Sequence, residues 1–338
     1  MNPLARNSLP LIALASLASS LAALASTACS GSSSASGFSD SADGGGGGGL
    51  GGGGGGLGGG GEGGGGGGGG GTTLLYAHTD KTLYSFDPKN ITATPTNVGD
   101  FDCVGQNGVK AMTDLAVTKD GKLYGVSEGA AFPLTLQGTT VHCESTWTLP
   151  ATKFYGLTVA PENTVAAQET LIGADGNGGL WLIDQASGTP TQVGTLGMDP
   201  KTMSPWGLSG DIVFLANAGS PIGFATVRAC PKGTCSSTDT LIEVDIAAIK
   251  PGKQSVLKSI RGPVVKGAWC MNASSPATFG SMFGITAYED KVYGFSRKGD
   301  VVEIQNSDGS GCLVSSNKSM LFAGAGVTTT APVIAPTK

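Results

Sequence analysis

The sequence predicts an all-β fold built from repeated units of four short strands and closed into a ring. Three observations predict it. From residue 72 to the C-terminus, short segments of alternating apolar residues, rich in aromatic and β-branched types, lie between turns of Gly, Asp, Asn and Pro. The same motifs return in the same order at intervals of roughly 45–50 residues. No segment after residue 72 keeps a helical period, and Ala247 to Lys250 makes at most a turn.

The repeats define the elements. Leu75-Tyr76-Ala77, Leu123-Tyr124-Gly125 and Leu171-Ile172-Gly173 are spaced by 48 residues each time. Val213-Phe214-Leu215 and Val292-Tyr293-Gly294 read as two more copies. A second motif follows: Leu83 to Asp87 matches Leu180 to Asp184, with weaker relatives at Leu241 to Asp245 and Val301 to Gln305. A third is nearly verbatim, Thr94-Pro95-Thr96-Asn97-Val98-Gly99 against Thr189-Pro190-Thr191-Gln192-Val193-Gly194. A fourth precedes the first: Thr113-Asp114-Leu115-Ala116, Tyr155-Gly156-Leu157-Thr158, Trp206-Gly207-Leu208-Ser209 and Phe283-Gly284-Ile285-Thr286.

Four short strands at this period are the signature of a β-propeller blade, and residues 72–338 accommodate five, the fourth enlarged by an insertion around Gly219 to Ser237. The first unit lacks an innermost strand, because poly-Gly precedes Leu75. A fifth copy of that strand, Ala325-Gly326-Val327-Thr328, stands at the far end with no blade of its own. The C-terminal segment, about Leu321 to Thr330, is therefore expected to enter the first blade as its innermost strand, which removes an exposed sheet edge. Ala116, Thr158, Ser209, Thr286 and Thr328 would then face one axis and make it polar but uncharged.

The chain has 338 residues and 58 glycines, of which 25 lie between Gly44 and Gly71. Residues 29–71 cannot bury apolar surface and read as a disordered Ser/Gly-rich tether. A phosphate-cradling loop is excluded, since such loops need a set glycine spacing and a following Lys-Ser/Thr. Charged residues are only 13% of the chain and the net charge is −5, against a nucleic-acid partner. Two histidines leave little for His-based catalysis or metal binding.

Residues 1–28 read as a secretory signal. Arg6 is followed by an apolar, uncharged run from Leu9 to Ala25, marginal for a membrane span and typical of a secretory signal. It ends in Ser26-Thr27-Ala28-Cys29, which resembles the lipobox of bacterial lipoproteins, although the position three before the cysteine usually holds Leu and here holds Ser26. The resemblance implies cleavage before Cys29 and lipidation of that residue. Ser30, rather than Asp, then implies sorting to the outer membrane. Ordinary signal cleavage after Ala25 or Ala28 is the alternative. Setting Cys29 aside leaves six cysteines, an even number that suits disulfides in an exported protein. Cys230–Cys235 is expected on proximity, and Cys103–Cys143 and Cys270–Cys312 on neighbouring outer strands.

The candidate chemistry is thin. Asp87, Asp184 and Asp245 each end a third strand and read as turn caps rather than a carboxylate ring. Asp175-Gly176-Asn177-Gly178-Gly179 lacks the closing Glu of a calcium loop and reads as a hairpin turn. Cys230 and Cys235 lack the second pair that a zinc site needs. His78 with Asp80 is a pair without a third member and reads as polar surface. Tyr155, Trp206 and Phe283 begin innermost strands and could form an aromatic platform for a sugar at one mouth of the ring; packing between blades is the competing reading. Asp114 is the one acid on the expected innermost strands, whose other copies hold Gly156, Gly207, Gly284 and Gly326. Glu128, Asp211 and Asp290 read as turn residues in no pattern. No cofactor or metal is implied.

The Leu-Tyr-Gly strands, the Leu-Tyr/Trp-x-Phe/Ile-Asp strands and the terminal Gly324 to Thr329 together resemble the propeller lipoproteins of myxobacteria-like bacteria over residues 72–338. That resemblance implies architecture rather than activity. Two functions follow as expectations. One is a non-catalytic binding or scaffold module, monomeric and membrane-anchored through its lipid, whose ligand is a glycan or an envelope protein. The other is a propeller-fold glycosidase, which would need paired carboxylates.

Overall fold

The structure, a computed structural model, describes residues 73–150, 153–217 and 220–335. The signal segment 1–28, the tether 29–71 and Cys29 lie outside the described residues. Twenty-three strands and three single-turn 3-10 segments make up the regular structure, with no α-helix among the described residues.

Antiparallel pairing groups most strands into sets of four, the first two of which are joined edge to edge in one larger sheet. The first contains β1 (Leu75–His78), β2 (Thr82–Phe86) and β3 (Thr96–Phe101). The second is β4 (Asp114–Val117), β5 (Leu123–Val126), β6 (Ala130–Gln137) and β7 (Thr140–Cys143), with a two-residue strand β8 (Trp147–Thr148) beside β6. The third is β9 (Phe154–Ala160), β10 (Thr170–Asp175), β11 (Gly179–Ile183) and β12 (Pro190–Thr195), followed by the short β13 (Met198–Asp199). The fourth is β14 (Ser204–Leu215), β15 (Ile222–Ala229), β16 (Thr240–Val244) and, after β17 (Gly252–Ser255) has joined the edge of β12, β18 (Leu257–Pro263). The fifth is β19 (Met282–Tyr288), β20 (Lys291–Ser296), β21 (Asp300–Gln305) and β22 (Gly311–Ser316).

The last strand, β23 (Gly324–Val327), pairs antiparallel with β1, Leu75 opposite Val327 and His78 opposite Gly324. The C-terminal segment thus completes the first sheet as its innermost strand, as expected. The innermost strands β4, β9, β14, β19 and β23 touch in a closed circuit. Sheets arranged radially around such a circuit are the blades of a β-propeller.

Burial follows the blade contacts. Separate apolar clusters lie between the first and second blades (Leu83, Phe101, Leu115, Phe132), the second and third (Val126, Phe154, Leu157, Leu171), and the third and fourth (Ile172, Leu208, Phe214, Val227). The largest joins the fourth, fifth and first, with Phe86, Phe224, Phe295 and Phe322. Each sheet packs against a neighbour on both sides, so every residue of the inner strands β4 and β23 is buried.

All three disulfides form in the expected pairs. Cys103–Cys143 pins the outer strand β3 to β7, which run parallel side by side. Cys270–Cys312 fastens the loop after β18 to β22, and Cys230–Cys235 closes the turn after β15. Each of the two longer loops, of 40 and 42 residues, stabilises by roughly 3–4 kcal/mol in the chain-entropy account.

Two repeat assignments need correction. Val213-Phe214-Leu215 ends the innermost strand β14 and is not a second strand. The second strand of that blade is β15, inside the stretch read as an insertion. The cause is a bulge between Leu208 and Ile212 that lengthens β14. Gly210 permits it: a Cβ there would fall 1.6 Å from the Met282 carbonyl oxygen. At the C-terminus, Gly326 pairs with Tyr76 as Thr158 pairs with Ile172, so Gly324, not Gly326, is the counterpart of Gly156.

Candidate functional site

That corrected register brings two acids to the axis. Asp114 opens β4, immediately before Leu115. Asp211 leaves the β14 bulge immediately before Ile212. Leu115, Leu157, Ile212, Ile285 and Ala325, one from each innermost strand, line a cavity of about 10 Å³. That is room for a single water. The residues preceding these five are Asp114, Gly156, Asp211, Gly284 and Gly324, so the position holds an acid in two copies and glycine in three. Matching Trp206-Gly207-Leu208-Ser209 to the other copies had hidden the second acid. The signal that could have found it is the unbroken apolar run Ile212-Val213-Phe214-Leu215, which reads as a strand buried on both faces.

Neither carboxyl has any exposure. Asp114 accepts the backbone N–H of Leu157 at 2.5 Å and of Ala325 at 3.0 Å. Asp211 accepts the N–H of Ile212 at 2.5 Å and of Ile285 at 2.8 Å. The two acids also hydrogen-bond each other. One pair of side chains therefore bonds to backbone from the first, third, fourth and fifth blades, with Asp114 itself on the second.

Burial pushes both acids up. Asp114 stands well above the ordinary carboxylate range, from desolvation first and then from the charge of Asp211. Asp211 is raised to about 7, again by burial, with its hydrogen bonds acting in the opposite direction. Two carboxylates in one dry site cannot both ionise readily, so the pair holds a proton that Asp114 donates to Asp211.

His78 adjoins this pair. It is fully buried, a correction to its reading as polar surface. Its Nδ1 lies 2.7 Å from the Thr79 carbonyl oxygen, and Nε2 has no hydrogen-bond partner among the described residues. Burial lowers its pKa to about 4, which keeps the ring neutral. Gly324 separates the ring from the acid: a Cβ there would lie 2.4 Å from both His78 Nε2 and Asp114 Oδ1.

The aromatic candidates are dispersed. Trp206 is 5% exposed and packs in the cluster of Leu196, Leu208 and Ala229. Phe283 is 6% exposed, with the Arg297 guanidinium 5.2 Å from its ring centre. Tyr155 is half-buried, its hydroxyl 3.4 Å from Glu128. The remaining acids behave as caps: Asp87, Asp184 and Asp245 each accept a backbone N–H two residues on. Asp175 accepts from Asn177 and Gly179 within its hairpin and from the Trp181 indole. The residues expected to face the axis are partly rearranged. Ala116 and Thr158 line the cavity, whereas Ser209 is committed to Asp239 at 2.5 Å.

No family model matches the chain, and no curated protein matches it. Solved structures align with the chain at 10% identity. A protein of unknown function from Bacteroides caccae aligns over 76% of this chain and 99% of its own, with a TM-score of 0.40. BBS1N, in its complex with ARL6DN, covers 70% of this chain and 59% of its own at 0.34. The Dos1 propeller covers 72% and 55% at 0.34. The chain thus spans a little over half the length of the last two. Likeness this distant does not bear on function, and the fold is established by the strand pairing: the chain is a β-propeller with a buried pair of acids at its axis.

Proposed function

We propose that the chain is an exported, non-catalytic binding or scaffold module, tethered to the outer membrane through lipid on Cys29 and displaying a monomeric propeller at the cell envelope. The observation that carries the non-catalytic part is the use made of Asp114 and Asp211. A glycosidase places its carboxylates about a sugar with room for water or a covalent intermediate. Here both acids are spent on backbone N–H groups and on each other, beside a cavity of about 10 Å³. Export is supported by the three disulfides, which use all six cysteines of the propeller and leave Cys29 as the single one outside them. The expected ligand is a neutral glycan or an envelope protein, since the chain carries few charges.

Two measurements test this. Replacing Cys29 by Ala should release the protein from membranes into the soluble fraction; a variant that still sediments with membranes in detergent-free buffer removes the anchor. Incubation with a panel of envelope and extracellular polysaccharides should give retention without turnover, whereas release of reducing ends would replace the binding module with the glycosidase.

A further inference from the structure

The third-motif repeats put two outer turns in equivalent places, and they differ in what fills the groove beside them. In the third blade, Trp147 of β8 on the preceding blade packs over Gly188. A Cβ at Gly188 would fall 2.2 Å from Trp147 Cγ. Trp147 stacks on Tyr124 with centroids 6.1 Å apart, in a cluster with Phe154 and Ile183. In the first blade, Ala93-Thr94-Pro95 takes the place of Gly188-Thr189-Pro190, and the preceding blade is the fifth. After β22 the chain brings Phe322 only to the floor of this groove, and among the described residues no indole lies over the turn as Trp147 lies over Gly188. What remains is a cavity of about 160 Å³ between the first and last blades. An apolar cavity of about 150 Å³ accommodates one six-membered ring.

The lining has two parts. Phe86, Met320 and Phe322 give an apolar floor, and Thr94, Ser315 and Asn317 give a polar rim, with no charged residue among the described lining. The rim differs from its counterpart in one respect. Thr189 accepts a hydrogen bond from Ser187 Oγ at 2.9 Å, so its groove can take an indole without leaving a polar group unpaired. The Thr94 and Ser315 hydroxyls have no such bond among the described residues. Asn317 uses its Oδ1 for Ser319, and its amide NH₂ has no partner there. A purely aromatic filler would cover these groups without satisfying them, which costs roughly 1–3 kcal/mol for each.

We propose that this cavity binds a neutral polyhydroxylated six-membered ring, one sugar unit of an uncharged glycan. The C–H face of the ring meets the Phe86–Phe322 floor, and its hydroxyls take up Thr94, Ser315 and Asn317. The inference deepens the proposed binding function and rests on it for the ligand class.

The test uses the full chain in detergent with methyl α-glucoside, methyl β-galactoside and N-acetylglucosamine, read by saturation-transfer NMR and calorimetry. Parallel samples contain indole and p-cresol. At least one sugar should bind, and the double variant Thr94→Val/Ser315→Ala should weaken it tenfold or more. Thr189→Val, at the equivalent turn, should leave affinity unchanged. Melting temperatures within a few degrees of the parent show that the variants are folded. Sugar binding unaffected by the double variant, no binding of any sugar, or binding of the aromatic probes alone each overturns the proposal. Glycan retention that ignores the double variant sinks the cavity and keeps the display function. Glycan turnover that ignores it sinks both the display function and the cavity, whereas turnover with cavity-dependent sugar binding sinks the display function alone.

Discussion

The axis and the seam between the first and fifth blades are both places where separate blades meet, yet they spend their polar groups in opposite ways. At the axis, Asp114 and Asp211 are wholly buried and every carboxyl oxygen assigned a bond faces backbone N–H or the other acid. At the seam, Thr94, Ser315 and Asn317 border a cavity of about 160 Å³ with hydrogen-bonding capacity left over. The difference is one of solvent access. A buried polar group left unpaired costs far more than an exposed one, because water satisfies the latter. The axis is therefore a place where polarity holds the ring together, and the seam is a place where it remains free for a ligand.

The strongest way to break this contrast is to remove the strand that serves both sites. A chain ending at Met320 loses β23, hence the inner partner of β1 and the Ala325 N–H bonded to Asp114. It also loses Phe322 from the seam floor. An open ring exposes the edge of β1 and the apolar faces around it. The expected outcome is loss of cooperative melting and aggregation by size-exclusion chromatography. A monomer that melts near the parent temperature would show that ring closure is dispensable.

Asp114→Ala acts on the axis alone. It leaves the N–H groups of Leu157 and Ala325 buried without an acceptor and strands Asp211 without its proton donor. Each buried N–H group left unpaired in this way costs about 1–3 kcal/mol. Urea denaturation at pH 7 measures it. A loss below about 1 kcal/mol would mean that the acids are not the tie between blades.

The protonation of the pair gives a third, smaller effect with a definite sign. A carboxyl whose pKa is raised by folding contributes stability that is full below its unfolded value near 4 and is lost as pH rises through its folded value. For Asp211 the window runs from 3.8 to about 7, and Asp114 extends it upward. His78, lowered from 6.5 to about 4, acts in the opposite sense, losing stability as pH falls through that interval. It offsets one of the two acids below pH 6.5. The net expectation is lower stability at pH 8 than at pH 5, because two acids lose stability over that span while one imidazole regains it. Asp211→Asn, whose amide can donate to Asp114 in every protonation state, should flatten the profile, which thermal melts across this range would show. A profile equally steep in the variant would place its cause elsewhere.

How much of this was legible in the sequence depended on register. Most of the strands, the closure by the C-terminal segment and the number of disulfides followed from motif order and parity, which survive an error of a residue or two. The acid pair did not. Its second member sits beyond a bulge, and a bulge adds residues without changing composition, so matching Gly207 to Gly156 skipped over Asp211. His78 escaped for a related reason: a histidine beside a turn reads as surface unless one knows that β23 will cover it. The seam cavity depends on one copy of a repeat lacking a ring over its outer turn, which becomes meaningful only when Trp147 is seen lying over Gly188 in the other.

The smallest effect sharpens the contrast from the seam. Thr94→Val removes a hydroxyl that bonds to no described residue and lies exposed at the cavity rim. Nothing in the fold depends on it, so stability should stay within about 0.5 kcal/mol of the parent, as for surface substitutions in general. The corresponding loss at Asp114 is several times larger although each change deletes polar capacity at a blade junction. Equilibrium urea unfolding of the two variants side by side measures the ratio. If Thr94→Val cost more than about 2 kcal/mol, its hydroxyl would be part of the structure rather than left over from it. The seam would then be a second axis, its polar groups committed to the fold as those of Asp114 and Asp211 are.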